Sequence, residues 1–163
     1  MTEENIPAIS QWSNDFQSGK VTPRDALELC LIRIDQLDDK LGAFEVVYEH
    51  EARQAADAAT NAFDSGHRIG PFHGIPFALK DIIDLEGRIT TGGSRVFEDR
   101  VSPVTATVAK RLIAAGGILV GKTKTVEVAM GGWVTNQHMG TPWNPWDLKT
   151  HRTPGGSSRG SSV

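Results

Sequence analysis

The fold class is decided by the stretch Val104–Val120, which has the sequence VTATVAKRLIAAGGILV. Apolar residues recur in its first half at intervals of four positions, a spacing that places them on one face of an α-helix. Two consecutive glycines, Gly116 and Gly117, end that helix. The apolar run Ile118-Leu119-Val120 follows at once and predicts a short buried strand.

A second strand is expected upstream, around Ile75–Leu79 and ending at Lys80. Pro76 makes it an edge or irregular strand, or one that begins just after the proline, because proline lacks the N–H that a central strand must donate. Strand, helix and strand in this order predict a β-α-β unit. We therefore expect the α/β class, with a mixed and mostly parallel sheet that is flanked by helices.

The residues before this unit predict helices and one short strand. Thr22–Asp25 has the features of a helix start, with a threonine cap, a proline at the first helical position and an acidic residue in the first turn. Ala43–Tyr48 favours a strand, and the alanine-rich segment Glu51–Phe63 predicts a helix closed by Ser65-Gly66. Residues 131–154 lack a regular pattern but carry three tryptophans, so we expect an ordered functional loop there.

The composition argues against several classes of protein. The 163 residues carry a formal net charge of −3, which gives no reason to expect a nucleic-acid partner. No apolar run approaches the ~20 residues of a membrane span, and the acidic, polar N-terminus is unlike a secretory signal. We therefore expect a cytoplasmic protein without a membrane partner. Cys30 is the single cysteine, so no disulfide is expected, and the five histidines show no metal-ligand spacing.

Two polar features predict chemistry. Lys80 ends an apolar segment, and burial of its amine would lower its pKa, so that it could accept a proton from a hydroxyl. The run Pro154–Ser158 supplies serine hydroxyls on a glycine-rich loop. Asp81 and Asp84 lie close to Lys80 along the chain. A permanent ion pair with either aspartate would raise the pKa of Lys80 and keep the amine protonated, so that it could not act as a base. Neither aspartate is therefore given a catalytic role.

Five motifs together give the chain a close resemblance to the amidase signature family. They occur in that family's order and at compatible spacing, from about residue 70 onward, and the helical N-terminal part is also similar to that family. The motifs are Gly74-Ile75-Pro76-Phe77-Ala78-Leu79-Lys80-Asp81, Ala114-Ala115-Gly116-Gly117-Ile118-Leu119-Val120-Gly121-Lys122-Thr123, Glu127-Val128-Ala129-Met130-Gly131, Asn144-Pro145-Trp146 and Pro154-Gly155-Gly156-Ser157-Ser158.

The resemblance implies a Ser-Ser-Lys triad that works without metal or cofactor. Lys80 would be the base, and Ser157 would be the bridging serine, whose peptide bond is cis in the family. The acyl-forming serine of the family pattern would lie beyond Val163. Ser161 and Ser162 would instead open the following helix.

The resemblance also suggests where a substrate would bind. Gly131, Gly132 and Trp133 are candidates for lining the acyl pocket, with a structural loop and a packed indole as the open alternative. The segment Met130–Val134 departs from the pattern associated with the amidotransferase subunit that makes glutaminyl-tRNA. A free-standing amidase is therefore the preferred interpretation.

The family pattern implies a domain organisation and an activity. The chain would be the N-terminal part of a single amidase-signature domain, with a helical region over residues 1–69 and the start of the catalytic core over residues 70–163, truncated before the nucleophile. The full-length form would hydrolyse the C–N bond of a small-molecule amide through an acyl-enzyme, and this chain would be inactive because the nucleophile serine is missing. The amidotransferase subunit of glutaminyl-tRNA synthesis stays open as an alternative. A non-catalytic truncated remnant and a homodimer of the full-length form also stay open.

Overall fold

The computed structural model describes residues 6–131 and 135–163, and these residues form helices and a mixed sheet. The α/β class expected from the sequence is confirmed. The helices are α1 (Ile9–Ser18), α2 (Pro23–Leu41), α3 (Glu49–Asp64) and α4 (Thr107–Ala114), and the strands are β1 (Phe44–Val47), β2 (Pro76–Lys80) and β3 (Ile118–Thr123). Every helix within the described ranges falls short of the length and apolar character that a membrane span requires.

The sheet has the strand order β1-β3-β2. Strand β1 pairs with β3 in the antiparallel direction. On the other side of β3, the Ile118 N–H donates to the Ile75 carbonyl and the Asp81 N–H donates to the Thr123 carbonyl, both at 2.9 Å. Strands β2 and β3 therefore run parallel to each other, as a β-α-β unit requires. In the described part of the chain β2 is an outer strand, which is where its first residue, Pro76, can be accommodated.

The start of α2 follows from local chemistry. The Asp25 N–H donates to Thr22 Oγ1 at 3.1 Å, while the Thr22 N–H donates to Asp25 Oδ2 at 3.0 Å. Each side chain thus satisfies a backbone donor that the first helical turn leaves free. Hydrogen bonding with Thr22 lowers the pKa of the Asp25 carboxyl. The helix begins at Pro23, as the sequence predicts.

Two helices differ from their predicted extents, and one helix was missed. Helix α4 begins three residues after Val104, because the Ala106 N–H bonds the Asp84 carbonyl at 2.9 Å and Thr105 Oγ1 accepts the Glu86 N–H at 3.0 Å. These contacts hold the residues before Thr107 against a loop. Helix α3 begins two residues before Glu51. Helix α1 was not predicted, although its buried Trp12 and Phe16 have helical spacing.

The chain divides into two compact units. The first contains the described residues up to Ile34, Tyr48–Phe77 and Arg111–Val120, and its apolar cluster includes buried Trp12 and Ile75. Cys30 packs against that cluster, and burial raises the pKa of its thiol to about 11.

The second unit contains Asp35–Val47, Ala78–Lys110 and Gly121–Val163. Its buried apolar side chains include Leu79, Leu85 and Val126, and its buried polar side chains include Asp81 and Lys122. All the contacts of the candidate site described below lie within this unit.

Candidate active site

Lys80 lies at the end of β2, where the strand turns into a loop. Its carbonyl accepts the N–H groups of Ile82 at 2.8 Å and of Ile83 at 3.0 Å, which closes the turn. The side chain is half-buried, and its Nζ donates to Ser157 Oγ at 2.5 Å. Burial lowers the pKa of the Lys80 amine. The structure therefore brings the two candidate catalytic side chains of the sequence into direct contact.

Ser157 is held through its main chain as well as its hydroxyl. The peptide bond between Gly156 and Ser157 is cis. The Ser157 carbonyl accepts a hydrogen bond from Thr125 Oγ1 at 2.9 Å and another from the Val126 N–H at 3.3 Å. Residues directly after β3 thus position the serine opposite the lysine. Thr125 was not singled out in the sequence, and only its tertiary contact reveals this role.

Asp81 and Asp84, which the sequence left without a role, are both engaged by groups other than Lys80. Asp81 is buried and pairs with Lys122, whose Nζ lies 2.5 Å from Asp81 Oδ1. Arg100 binds Asp84 in a bidentate manner: Nη1 donates to Oδ1 at 2.8 Å and Nη2 donates to Oδ2 at 3.1 Å. This contact holds the pKa of the Asp84 carboxyl at about 2. Both carboxylates thus contact cations other than Lys80, whose own pKa is lowered by burial.

The loop Thr90–Ser94 packs against the residues that hold Ser157. The Gly92 N–H donates to the Asp81 carbonyl at 2.8 Å. Gly93 has a φ of 71°, and a Cβ at this position would meet the Thr125 carbonyl oxygen at 2.8 Å. Asn136 Nδ2 donates to the Gly93 carbonyl at 2.7 Å. Only glycine satisfies both the backbone conformation and the close approach here.

A cavity of about 310 Å³ opens beside this loop. Its walls are mainly apolar, with the Asp84–Arg100 ion pair as the charged part. Two of the lining residues, Val128 and Ala129, have φ values of 46° and 55°, which are uncommon for residues with a Cβ. The lining residues are Ile82, Asp84, Thr90, Gly92, Phe97, Arg100, Val128 and Ala129.

The other residues singled out in the sequence are placed as follows. Gly131 is exposed in the segment after β3, with Val126 as its nearest side chain. Gly132 and Trp133 lie outside the described residues, so their proposed pocket role stays a prediction. Ser161 Oγ lies 3.1 Å from Thr123 Oγ1, and Ser162 Oγ donates to the Ser158 carbonyl at 3.1 Å.

Arg159 is a buried cation that the sequence interpretation missed. Its side chain is 0% exposed, and Nη1 donates to Thr141 Oγ1 at 3.1 Å. Its Nε and Nη2 have no hydrogen-bond partner among the residues that the structure describes. Burial lowers the pKa of the guanidinium. A buried charge with free donors is costly unless it is paired, so we expect this residue to destabilise the unit that contains it.

We expect Arg159→Met to raise the free energy of unfolding of the 163-residue chain by ~1–4 kcal/mol, because a buried charge is exchanged for an apolar side chain of similar length. Urea unfolding followed by circular dichroism measures the change. Arg95→Met, at an exposed arginine of the same unit, is the matched control and should alter stability by less than about 0.5 kcal/mol. A lower stability of the Arg159 variant would show that the guanidinium is satisfied in solution.

Among residues 6–131 and 135–163, no group of three or more His, Cys, Asp or Glu side chains could hold a metal ion. The contact between Lys80 and Ser157 offers an amine and a hydroxyl within hydrogen-bonding distance, which are the groups needed to transfer a proton.

The chain belongs to the amidase family, since the family model described as Amidase matches residues 25–163. The resemblance stated from the motifs is confirmed. Its curated relatives include a glutamyl-tRNA(Gln) amidotransferase subunit of Synechococcus sp. (strain CC9605), which is 41% identical over 155 residues, or 95% of this chain and 31% of the relative. The chain spans about a third of the length of the curated relatives it matches.

Solved structures share the fold over nearly the whole chain. One, described as a vestigial protein complex that reveals the evolutionary origins of an s-triazine catabolic enzyme, has a TM-score of 0.89 at 33% identity and covers 95% of this chain and 34% of its own. A crystal structure of an amidase has a TM-score of 0.84 at 31% identity, with 95% of this chain and 35% of its own covered.

Proposed function

We propose that the complete gene product containing this chain is an amidohydrolase that breaks a carboxamide C–N bond through an acyl-enzyme. The observation that carries the proposal is the hydrogen bond between Lys80 Nζ and Ser157 Oγ at 2.5 Å, with a lysine amine whose pKa is lowered by burial. Family membership supports the same conclusion. Lys80 is the proposed base and Ser157 the proposed relay.

The proposed reaction begins with the deprotonated Lys80 amine. The amine takes the proton of the Ser157 hydroxyl, and Ser157 Oγ in turn takes the proton of a nucleophilic serine. That serine attacks the amide carbonyl, the C–N bond breaks, and the leaving amine departs with the relayed proton. In the second half of the reaction, water gives its proton to Lys80 through Ser157 and attacks the ester; the bond between the acyl carbon and the serine oxygen breaks, the carboxylic acid leaves, and the proton returns to the nucleophilic serine. We place the nucleophile outside these 163 residues, because the relatives are about three times as long.

The same proposal assigns parts to the two stretches of the chain. We propose that residues 1–69 belong to the N-terminal region, which is helical over most of its described part, and that residues 70–163 begin the catalytic core. The cavity beside the Thr90–Ser94 loop, with its apolar walls, is a candidate site for part of a small amide substrate, and Gly131, Gly132 and Trp133 are candidates for the acyl side. We place the protein in the cytoplasm.

A second candidate function is that of the amidotransferase subunit of glutaminyl-tRNA synthesis. The curated relatives favour it, because those described as a glutamyl-tRNA(Gln) amidotransferase subunit are 39–43% identical to this chain. The segment Met130–Val134 supports a free-standing amidase, since it departs from the pattern associated with that subunit. In both candidates the acyl group of a carboxamide is transferred to the enzyme. They differ in the fate of the nitrogen: an amidohydrolase releases ammonia or an amine, whereas the amidotransferase subunit takes part in a tRNA-dependent transfer.

An assay of the complete gene product on a panel of aliphatic, aryl and urea-type amides tests the proposal. We expect ammonia or amine release that rises with pH, because a protonated Lys80 cannot accept a proton and its pKa is lowered. Co-purified partner subunits with tRNA-dependent transfer would establish the second candidate instead.

The 163-residue chain by itself is expected to give no turnover in the same assay. A stop codon directly after codon 163 would support the non-catalytic remnant.

A further inference from the structure

Lys122 is a fully buried lysine on β3 that the proposed reaction does not use. Its side chain is 0% exposed, and Nζ donates to Thr90 Oγ1 at 2.7 Å and to the Ile89 carbonyl at 3.2 Å. The same nitrogen lies 2.5 Å from Asp81 Oδ1; this contact is an ion pair without hydrogen-bond geometry, and Oδ1 has no hydrogen-bond partner among the described residues. All three contacts of the ammonium group are therefore made inside the protein.

Asp81 directly follows Lys80 in the chain and is 1% exposed. Its second oxygen, Oδ2, accepts the Thr91 N–H at 3.0 Å and the Thr91 hydroxyl at 2.5 Å. A buried carboxylate is expensive without a partner, so Asp81 needs a cation within reach. Lys122 of the adjacent strand supplies that cation, and Lys80 is the lysine next to Asp81 in the sequence.

Asp81 directly follows the last residue of β2, and its carboxylate contacts Lys122 of β3, while the Lys80 amine contacts Ser157. Other charged groups flank the pair. Glu45 lies on β1, Lys124 follows β3, and Asp84 is paired with Arg100. Burial raises the pKa of the Glu45 carboxyl, and the charges of Lys124, Asp81 and Lys122 also act on it.

We propose that Lys122 is a positioning residue for Lys80: by binding Asp81, it keeps the adjacent carboxylate from capturing the Lys80 amine, which stays directed at Ser157. The proposal rests on the proposed function for the role of Lys80 as a base. The proposal is a balance of charge: because Asp81 is paired with Lys122, the Lys80 amine has no counter-ion among residues 6–131 and 135–163.

Three variants separate this charge balance from a merely structural role. Lys122→Met leaves an uncompensated carboxylate, which favours the protonated amine, so the pKa of Lys80 should rise by about one pH unit. Asp81→Asn leaves an uncompensated ammonium, so the pKa of Lys80 should fall by a similar amount. The double variant removes both charges and should return the pKa of Lys80 to within a few tenths of the wild-type value.

Competitive acetylation with a peptide-level mass-spectrometric readout, between about pH 6 and 11, gives the pKa of each lysine in the 163-residue chain. Lys110, exposed in α4, is the internal reference. Far-UV circular dichroism checks that each variant is folded. If Lys122→Met does not fold, Asp81→Asn decides alone, and a lowered pKa of Lys80 supports the proposal.

An unchanged pKa of Lys80 in the folded single variants would overturn the proposal. So would a double variant that keeps the shift of Lys122→Met, since a structural defect does not cancel when the opposite charge is removed. Because the readout is a titration, it is independent of turnover. An absence of amidase activity would reject the proposed function while leaving the charge balance to be decided by these titrations.

Discussion

Replacement of Lys80 by alanine is expected to lower kcat/KM for amide hydrolysis by the complete gene product roughly 10²- to 10⁴-fold, the range that a positioned general base contributes. The Lys80 amine contacts the Ser157 hydroxyl at 2.5 Å, and its lowered pKa makes it a better proton acceptor near neutral pH. Without the amine, the proposed relay has no group to take the first proton. Steady-state kinetics on the best amide of the substrate panel measure the loss.

Two further variants make that result specific. Lys110→Ala removes an exposed lysine of α4 and should keep the wild-type rate. Ser157→Ala should also reduce turnover heavily, because the proton path from Lys80 would be interrupted. A Lys80→Ala enzyme that retains near-normal turnover would remove Lys80 from the mechanism and, with it, the proposed relay.

Replacement of Gly160 by alanine is expected to be the most destabilising of the conservative substitutions in the second unit. An added Cβ would overlap the Ala43 carbonyl oxygen and would lie 2.8 Å from Thr123 Cβ. Both obstacles belong to backbone or β-carbon atoms near the sheet, which cannot swing aside as the end of a long side chain can. Overpacking of this kind costs ~1–3 kcal/mol of stability, and urea unfolding of the 163-residue chain measures it.

Gly70→Ala is the matched control for that prediction. Gly70 lacks a left-handed φ, and no atom lies within 4 Å of the Cβ that would be added. Its replacement should change the free energy of unfolding by less than about 0.5 kcal/mol, with a small stabilisation from the reduced freedom of the unfolded chain. Equal stabilities of the two alanine variants would mean that Ala43 and Gly160 are not in contact in solution.

Local signals were enough to predict much of the fold. The helix start at Thr22–Asp25 needs only residues three positions apart, and the structure has the expected reciprocal hydrogen bonds. The strand around Pro76 was expected at a sheet edge or just after the proline, because the ring removes a hydrogen-bond donor whatever the surroundings. The glycine pair and apolar run that follow α4 predicted the strand that became β3.

What the sequence alone determined was therefore the α/β class, the order of most elements and, through the family motifs, the choice of Lys80 and Ser157. The tertiary structure alone decided which partners Asp81 and Asp84 take, that Arg159 is buried, and that α4 begins only at Thr107. The physical reason is distance along the chain. Helix caps and strand patterns arise from neighbouring residues, whereas ion pairs such as Asp81–Lys122 join residues that become neighbours only when the sheet forms.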